Sequence, residues 1–280
     1  MSRQLNQSQD SSDQLQSAST QSRVIGLIGF GAIARELLTH FTSANVRWIV
    51  YTRSAPIIDN ADINLTFVRS LDELIQSGPS IVVEAAGQSA VYDQVPIILK
   101  ANISVIAASV GALADETLVS TLDRACRETN ASLIFPSGAI GGLDYLSAIA
   151  PLEDARIRYT SRKPPAAWKA ELEERNLVCD KDALVLFEGS SQEAARLYPK
   201  NLNAALTISL AIRPHKLAVR VLVDPDAIGN THEIEVESAA GAAFIRLENV
   251  PSELNPKTSM ITALSLASSL RKFLETKGRD

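Results

Sequence analysis

The chain has 280 residues, with 27 basic and 32 acidic side chains and a formal net charge of -5. This length is sufficient for two domains with separate cores, and the slight acidic excess gives no basic field of the kind that attracts nucleic acid. No apolar run approaches the ~20 residues that a membrane-spanning helix needs. We therefore expect small-molecule partners and other copies of the same chain, with neither nucleic acid nor membrane binding.

The N-terminal segment, residues 1–22, is rich in Ser and Gln and contains few large apolar side chains. It cannot bury enough surface to offset its ordering entropy, which predicts a disordered tail. It also lacks the apolar stretch of a secretory signal. Cys126 and Cys179 are far apart and form no C-x-x-C motif, which favours free thiols in a cytoplasmic protein, with a disulfide as the alternative.

The segment 23–135 alternates short apolar runs with helical spacing, as expected for βαβ units of a parallel sheet. The predicted strands are Val24–Ile28, Arg47–Tyr51, Ile81–Ala85, Ser104–Ala108 and Ser132–Phe135, and the predicted helices between them include Leu71–Ser77 and Asp115–Thr129. This pattern predicts a Rossmann-type dinucleotide-binding domain.

The pattern changes in the segment 136–250, where strands are accompanied by fewer helices. The predicted strands are Ala155–Thr160, Leu184–Glu188, Lys216–Val223, Thr231–Glu237 and Ala242–Asn249, and the predicted helices are Ser191–Tyr198 and Asn201–Ile212. The short Ala239–Gly241 connection predicts a hairpin. We therefore predict an α/β protein in which a second α/β domain, with an open mixed sheet, binds substrate and forms the dimer contact. The last helix, within 251–280, is expected to complete the first domain.

A glycine-rich turn follows the first predicted strand and precedes a helix. Gly29, Gly31 and Ala34 form a G-x-G-x-x-A fingerprint, in which the first glycine allows the tight turn and the second lets the backbone approach a pyrophosphate. Ala32 and Ile33, which begin the helix, are further candidate cofactor contacts. The alternative is a turn that binds nothing.

The end of the second strand carries no acid to bind an adenosine ribose, as NAD enzymes usually have there. Arg53 occupies this region instead, and a guanidinium suits the 2′-phosphate of NADP. A solvated surface arginine is the alternative. We therefore expect NAD or NADP as the cofactor and no metal. Small residues at 85–88, 109–112 and 137–142 follow three later strands, where a flat nicotinamide ring could lie against backbone.

His232 is one of only three histidines and is a candidate general acid/base. Asn230 lies two residues earlier, so both side chains point to the same face of a strand. A purely structural histidine is the alternative.

Several strings, ordered along residues 24–270, resemble the L-aspartate dehydrogenase family. They are Gly29-Phe30-Gly31-Ala32-Ile33, Ser109-Val110-Gly111-Ala112-Leu113, Ser137-Gly138-Ala139-Ile140-Gly141-Gly142-Leu143-Asp144, Glu188-Gly189-Ser190, Tyr198-Pro199-Lys200-Asn201-Leu202-Asn203, Asn230-Thr231-His232-Glu233 and Asn255-Pro256-Lys257-Thr258-Ser259. The N-terminal tail lies outside the resemblance.

The resemblance implies NAD(P)-dependent oxidative deamination of L-aspartate to iminoaspartate, which is hydrolysed to oxaloacetate and ammonia and can also feed NAD biosynthesis. It implies that His232 and Asn230 act in catalysis, that Ala139 and Asn203 contact the nicotinamide cofactor, and that the protein forms homodimers. The alternatives are another amino-acid dehydrogenase or imine reductase of similar architecture, or a non-enzymatic NAD(P)-sensing protein.

Two substrate carboxylates need cationic partners. Lys200 is the principal candidate, and Arg162, Lys163 and Lys257 are the others, each at a position that looks loop-like from sequence. Each could instead be a solvated or structural charge.

Overall fold

The computed structural model describes residues 22–42, 45–53, 63–198, 203–255 and 258–276. Strands and helices alternate through its first half. The strands are β1 (Arg23–Ile28), β2 (Val46–Tyr51), β3 (Leu65–Val68), β4 (Ile81–Glu84), β5 (Ser104–Ala107), β6 (Leu133–Ile134), β7 (Arg156–Lys163), β8 (Leu184–Ser190), β9 (Ala218–Val223), β10 (Asn230–Ser238) and β11 (Gly241–Asn249). The α-helices are α1 (Ala32–Thr39), α2 (Leu71–Gln76), α3 (Gln88–Asp93), α4 (Val95–Lys100), α5 (Glu116–Glu128), α6 (Leu143–Ile149), α7 (Lys169–Glu174), α8 (Ser191–Leu197), α9 (Asn203–Ala211) and α10 (Ile261–Thr276).

The first six strands form one parallel sheet in the order β3-β2-β1-β4-β5-β6. This is the doubly wound order of a dinucleotide-binding fold, so the predicted Rossmann domain is confirmed. β3 was not predicted, because it is a four-residue edge strand that buries its side chains only partly. The short helices α3 and α4 were not predicted from the sequence either.

Both faces of this sheet are covered, which explains why its central strands are continuously apolar. Alternate residues enter two cores: Val82 and Val105 pack toward α2 to α5, and Ile81 and Ile106 pack toward α1 and α10. Leu266 and Leu270 of α10 are fully buried in the second of these cores. The C-terminal helix α10 therefore packs on the same face of the dinucleotide-binding sheet as α1, although it lies at the other end of the sequence from β1.

The remaining strands form a mixed sheet in the order β11-β10-β7-β9-β8. β10 and β11 make the predicted antiparallel hairpin, whereas β7 and β9 pair in parallel. One face packs on a core that includes Tyr159, Trp168 and Ile208. The opposite face carries a ladder of charged side chains, so the predicted open mixed sheet is confirmed.

The described part of β7 continues to Lys163, three residues beyond its predicted end at Thr160. The polar run after Thr160 resembled a loop, but its residues alternate between the two faces. Arg162 points to the open face, where it pairs with Asp224 at 2.8 Å and Glu233 at 3.3 Å. Lys163 is buried on the other face. This extra length brings β7 side chains up to the site described below.

None of the described helices is long and apolar enough to cross a membrane. Within the same residues, no three His, Cys, Asp or Glu side chains are grouped so that they could hold a metal ion.

Candidate active site

Two adjacent cavities open at the carboxyl edge of the parallel sheet. One, of about 530 Å³, is lined by the fingerprint turn and the end of β2. The other, of about 300 Å³, lies between the sheet edge and the second domain. Ala85 and Ala86 line both cavities. A dinucleotide lying along this edge would therefore pass from the larger cavity into the smaller one.

The fingerprint turn fits a pyrophosphate in two respects. Gly29 has φ +89°, and a Cβ there would lie 2.8 Å from the Ala86 Cα and 2.9 Å from the Ala85 carbonyl oxygen, so a larger residue is excluded. A Cβ on Gly31 would instead enter open space. Gly31 is the N-cap of α1 and provides no side-chain cap, which leaves the first amides of this helix facing the space that a phosphate would fill.

The end of β2 contributes Tyr51, Thr52 and Arg53 to the larger cavity. The described residues include no ion pair with Arg53, and its side chain is exposed. The guanidinium can therefore meet a 2′-phosphate without first breaking an internal pair among these residues.

A buried carboxylate organises the loops between the cavities. Glu84, at the end of β4, accepts hydrogen bonds from the amides of Ala86 and Gly87, each at 2.8 Å, and from the amide and hydroxyl of Ser109, each at 3.0 Å. Burial raises the pKa of Glu84, and these hydrogen bonds oppose that effect. One side chain thus ties together two loops that line the cofactor groove.

The smaller cavity is lined by Ala139 and Asn203, the two residues predicted to contact the nicotinamide. Ile33, a further candidate cofactor contact, also lines it. The Asn203 Oδ1 accepts a hydrogen bond from the Gly111 amide at 3.0 Å, which joins α9 to the loop after β5. Ala32 begins α1 but is not a lining residue of either cavity.

His232 and Asn230 point together into the smaller cavity from β10. Asn230 Nδ2 donates to Ser259 Oγ at 3.2 Å, from the segment that leads into α10. His232 is 5 % exposed, and its Nδ1 lies 2.7 Å from the hydroxyl of Tyr159. Its buried Nε2 has no hydrogen-bond partner among the described residues. That nitrogen is thus available to a bound molecule.

The His232 imidazole is held in its neutral form. Burial, followed by the charge of Lys163, lowers the pKa of His232 to about 4. At neutral pH the ring therefore keeps a free electron pair, which a general base needs.

Lys163 is the cation that the structure brings to this cavity. It is 6 % exposed and lies 5.5 Å from the centroid of the Trp168 ring. Burial lowers the pKa of Lys163 to about 8, so the ammonium remains mostly charged at neutral pH. Arg162, the other β7 candidate for a substrate carboxylate, does not line this cavity, because strand alternation places it on the opposite face in ion pairs. Lys200 and Lys257 lie outside the described residues.

Sequence reasoning missed Glu84 and Tyr159. A carboxylate that ends an otherwise apolar strand, as in Ile81-Val82-Val83-Glu84, was a usable signal for the first. Tyr159 gave no such signal, because its partner His232 is 73 residues away in the chain.

Comparison with known proteins gives one family model for each half of the chain. Residues 29–136 match the family model described as homoserine dehydrogenase, NAD binding domain, and residues 144–273 match aspartate dehydrogenase, C-terminal. The chain is 41 % identical over 259 residues to L-aspartate dehydrogenase 2 of Bordetella bronchiseptica, covering 89 % of this chain and 96 % of that protein. It is 43 % identical over 209 residues to L-aspartate dehydrogenase of Methanosarcina acetivorans, covering 73 % and 77 % of the two chains.

A solved structure extends the likeness to three dimensions. The crystal structure of aspartate dehydrogenase from Thermotoga maritima matches with a TM-score of 0.71 and 30 % identity, covering 89 % of this chain and 96 % of that one. A match over that share of the chain includes both domains. With the cofactor groove, the buried histidine and relatives that align over nearly their whole length, the chain belongs to the L-aspartate dehydrogenase family.

Proposed function

We propose that this protein catalyses the NAD(P)-dependent oxidation of L-aspartate to iminoaspartate, which water converts to oxaloacetate and ammonia. The observation that carries the proposal is the pairing of a neutral, buried His232 with a buried cationic Lys163 in one cavity beside the cofactor groove. An amino acid with negative carboxylates and an ammonium to deprotonate is complementary to such a pair.

Lys163, His232 and Asn230 have separate roles in the proposed reaction. Lys163 pairs with a substrate carboxylate, which fixes the substrate and neutralises its charge. His232 Nε2 takes the proton that the substrate ammonium releases as the C–N bond becomes an imine, and later assists the attacking water. Asn230, held by Ser259, keeps a polar amide beside the imidazole. A bound nicotinamide cofactor would supply the acceptor for the hydride that leaves the substrate Cα.

The residues that line the two cavities also support a position for each part of the cofactor. Gly29 and Gly31 would hold the pyrophosphate at the N-terminus of α1, and Ile33, Ala139 and Asn203 would contact the nicotinamide end. Arg53 would meet the adenosine ribose, so we expect NADP to be accepted in addition to NAD.

We also propose the domain plan on which this mechanism rests. Residues 23–135, completed by 251–280, would form the cofactor domain, and 136–250 the substrate and dimerisation domain, with 1–22 as a tail outside the described residues. The open face of the second sheet, with Phe244 exposed among Arg and Glu side chains, supports a homodimer contact there. A cytoplasmic location is consistent with the unpaired Cys126 and Cys179.

Nicotinamide absorbance measured with purified protein tests the reaction. L-aspartate, D-aspartate, L-glutamate and L-alanine are each supplied with NAD and, separately, with NADP. We expect turnover with L-aspartate and far less with the other three. Preference for a neutral amino acid would indicate a different dehydrogenase, and cofactor binding without turnover of any of the four would refute the proposed reaction.

A further inference from the structure

Tyr159 lies behind His232 in the core of the second domain. Its side chain is fully buried, and its hydroxyl is 2.7 Å from His232 Nδ1. The two rings are nearly parallel, at 17°, with centroids 5.9 Å apart. We propose that Tyr159 is a positioning residue: it accepts a hydrogen bond from His232 Nδ1–H and so makes Nε2 the nitrogen that exchanges protons with the substrate. This inference rests on the proposed function of His232.

The contact follows from the register of the second sheet. His232 pairs across the strands with Ser161, and Ile234 pairs with Tyr159. Tyr159 and His232 are therefore diagonal neighbours on adjacent strands, and both side chains lie on the core face of the sheet. A strand register fixed by main-chain hydrogen bonds holds this geometry more rigidly than a loop would.

The apolar surroundings of Tyr159 favour a hydrogen bond between its hydroxyl and His232. The phenol is a member of the apolar core that includes Trp168 and Ile234. A buried hydroxyl without a hydrogen-bond partner destabilises the folded state, so the hydroxyl favours the conformation in which it meets Nδ1. Burial also raises the pKa of Tyr159, which keeps the phenol neutral whenever the enzyme works.

The chemistry of His232 sets the direction of this bond. A general base must have a free electron pair on the nitrogen that faces the substrate, and after it takes a proton both ring nitrogens carry one. Nδ1–H can donate to the phenol oxygen in both states, and only that direction is compatible with both. The reverse direction would place the single proton of the neutral ring on Nε2 and remove the base.

The other groups that face the imidazole do not fix its tautomer. Lys163 on β7 is the charged side chain among those lining this cavity and acts on His232 through its charge. Asn203 of α9 and Thr262 of α10 also line the cavity, but neither forms a hydrogen bond with the imidazole of His232 among the described residues. Leu247 of β11, on the other side of His232, is apolar.

Tyr159→Phe removes only the hydroxyl and is the direct test. Tyr198→Phe is the matched control, because Tyr198 is a buried tyrosine of the same core whose hydroxyl accepts from Arg175 Nη2 at 2.8 Å, away from the cavity. For each variant we would measure kcat and KM for L-aspartate, NADPH affinity and unfolding. Imidazole nitrogen chemical shifts of isotope-labelled histidine report the tautomer, with the His232 signal assigned by its loss in His232→Asn.

We expect wild-type His232 to carry its proton on Nδ1, and Tyr159→Phe to shift the ring toward the other tautomer. Its kcat should fall ~10–100-fold, the size of effect seen when a group that orients a functional histidine is removed. KM and NADPH affinity should change less than about threefold, and Tyr198→Phe should keep its kcat within about twofold.

A proton on Nε2 in the wild-type protein, or an unchanged kcat in Tyr159→Phe, would overturn the inference. An equal fall in kcat for both variants would do so as well, since it would indicate a general loss of core packing. If the wild-type protein fails to oxidise L-aspartate at all, the proposed function is wrong, whereas the tautomer measurement still decides the role of Tyr159.

Discussion

Replacing Lys163 with Met should make the protein more stable while it disables the site. Methionine keeps an unbranched side chain against Trp168 but removes the buried charge. Burial lowers the pKa of Lys163 from 10.5 to about 8, which corresponds to about 3 kcal/mol of unfavourable free energy for the charged form. Loss of the favourable contacts of the ammonium, which include the Trp168 ring, offsets part of that gain, ~0.5–2 kcal/mol for the ring alone.

The net expectation is about 1–2 kcal/mol of added stability at pH 7, which raises Tm by a few degrees, at ~2–4 °C per kcal/mol. The kcat/KM for L-aspartate should fall on the order of 10²-fold, because a substrate carboxylate loses its cation in a buried site. Lys169→Met is the matched control, since Lys169 is exposed and belongs to a surface pair with Glu173. It should change neither quantity appreciably.

The pH dependence of unfolding gives the sharper test. Between pH 8 and 10.5 the folded protein has lost the Lys163 proton and the unfolded chain still binds it, so wild-type stability gains from this group as pH rises. Lys163→Met lacks that gain, and its advantage at pH 7 should shrink toward zero across this interval. A variant that is less stable than wild type at pH 7, or an advantage that does not change with pH, would refute the reasoning.

Three further variants test separate parts of the molecule. Arg53→Asp should weaken NADPH binding far more than NADH binding in titrations of the purified protein, since a carboxylate repels the 2′-phosphate; equal weakening would mean that Arg53 does not face that position. Glu84→Gln leaves at least one of four donors without an acceptor. The free energy of unfolding measured in urea should therefore fall by about 3 kcal/mol, and both cofactors should bind more weakly. Unchanged cofactor affinity would contradict the role of Glu84 in the loops. Leu270→Ala empties a fully buried position of α10 and should cost about 2–5 kcal/mol, whereas a neutral effect would argue against the packing of α10 in the core that it shares with α1.

The architecture could be predicted because its signals are local. Val24–Ile28 followed by Gly29 and Gly31 encodes strand, turn and helix within a dozen residues, and the hairpin at Gly241 is encoded in the same way. The edge strand β3 was missed because four half-buried residues carry too little periodicity to detect.

The site was only partly predictable because its partners meet through strand register. Asn230 and His232 share a face for a local reason, the two-residue repeat of a strand. Which residues of β7 lie opposite them depends on pairing over about seventy residues of chain, and no local pattern specifies that. For the same reason Arg162 and Lys163 were equivalent candidates from sequence, although one-residue alternation places one in ion pairs on the open face and the other in the cavity.

Turnover of L-aspartate by wild-type protein and by His232→Ala, measured side by side with cofactor affinity, is the decisive test of the proposed role of His232. We expect kcat to fall by on the order of 10²–10⁴, the usual contribution of general acid–base catalysis, and the dissociation constants of NADH and NADPH to stay nearly unchanged. A His232→Ala protein that turns over L-aspartate at the wild-type rate would contradict the central claim that the buried imidazole is the proton-transfer group.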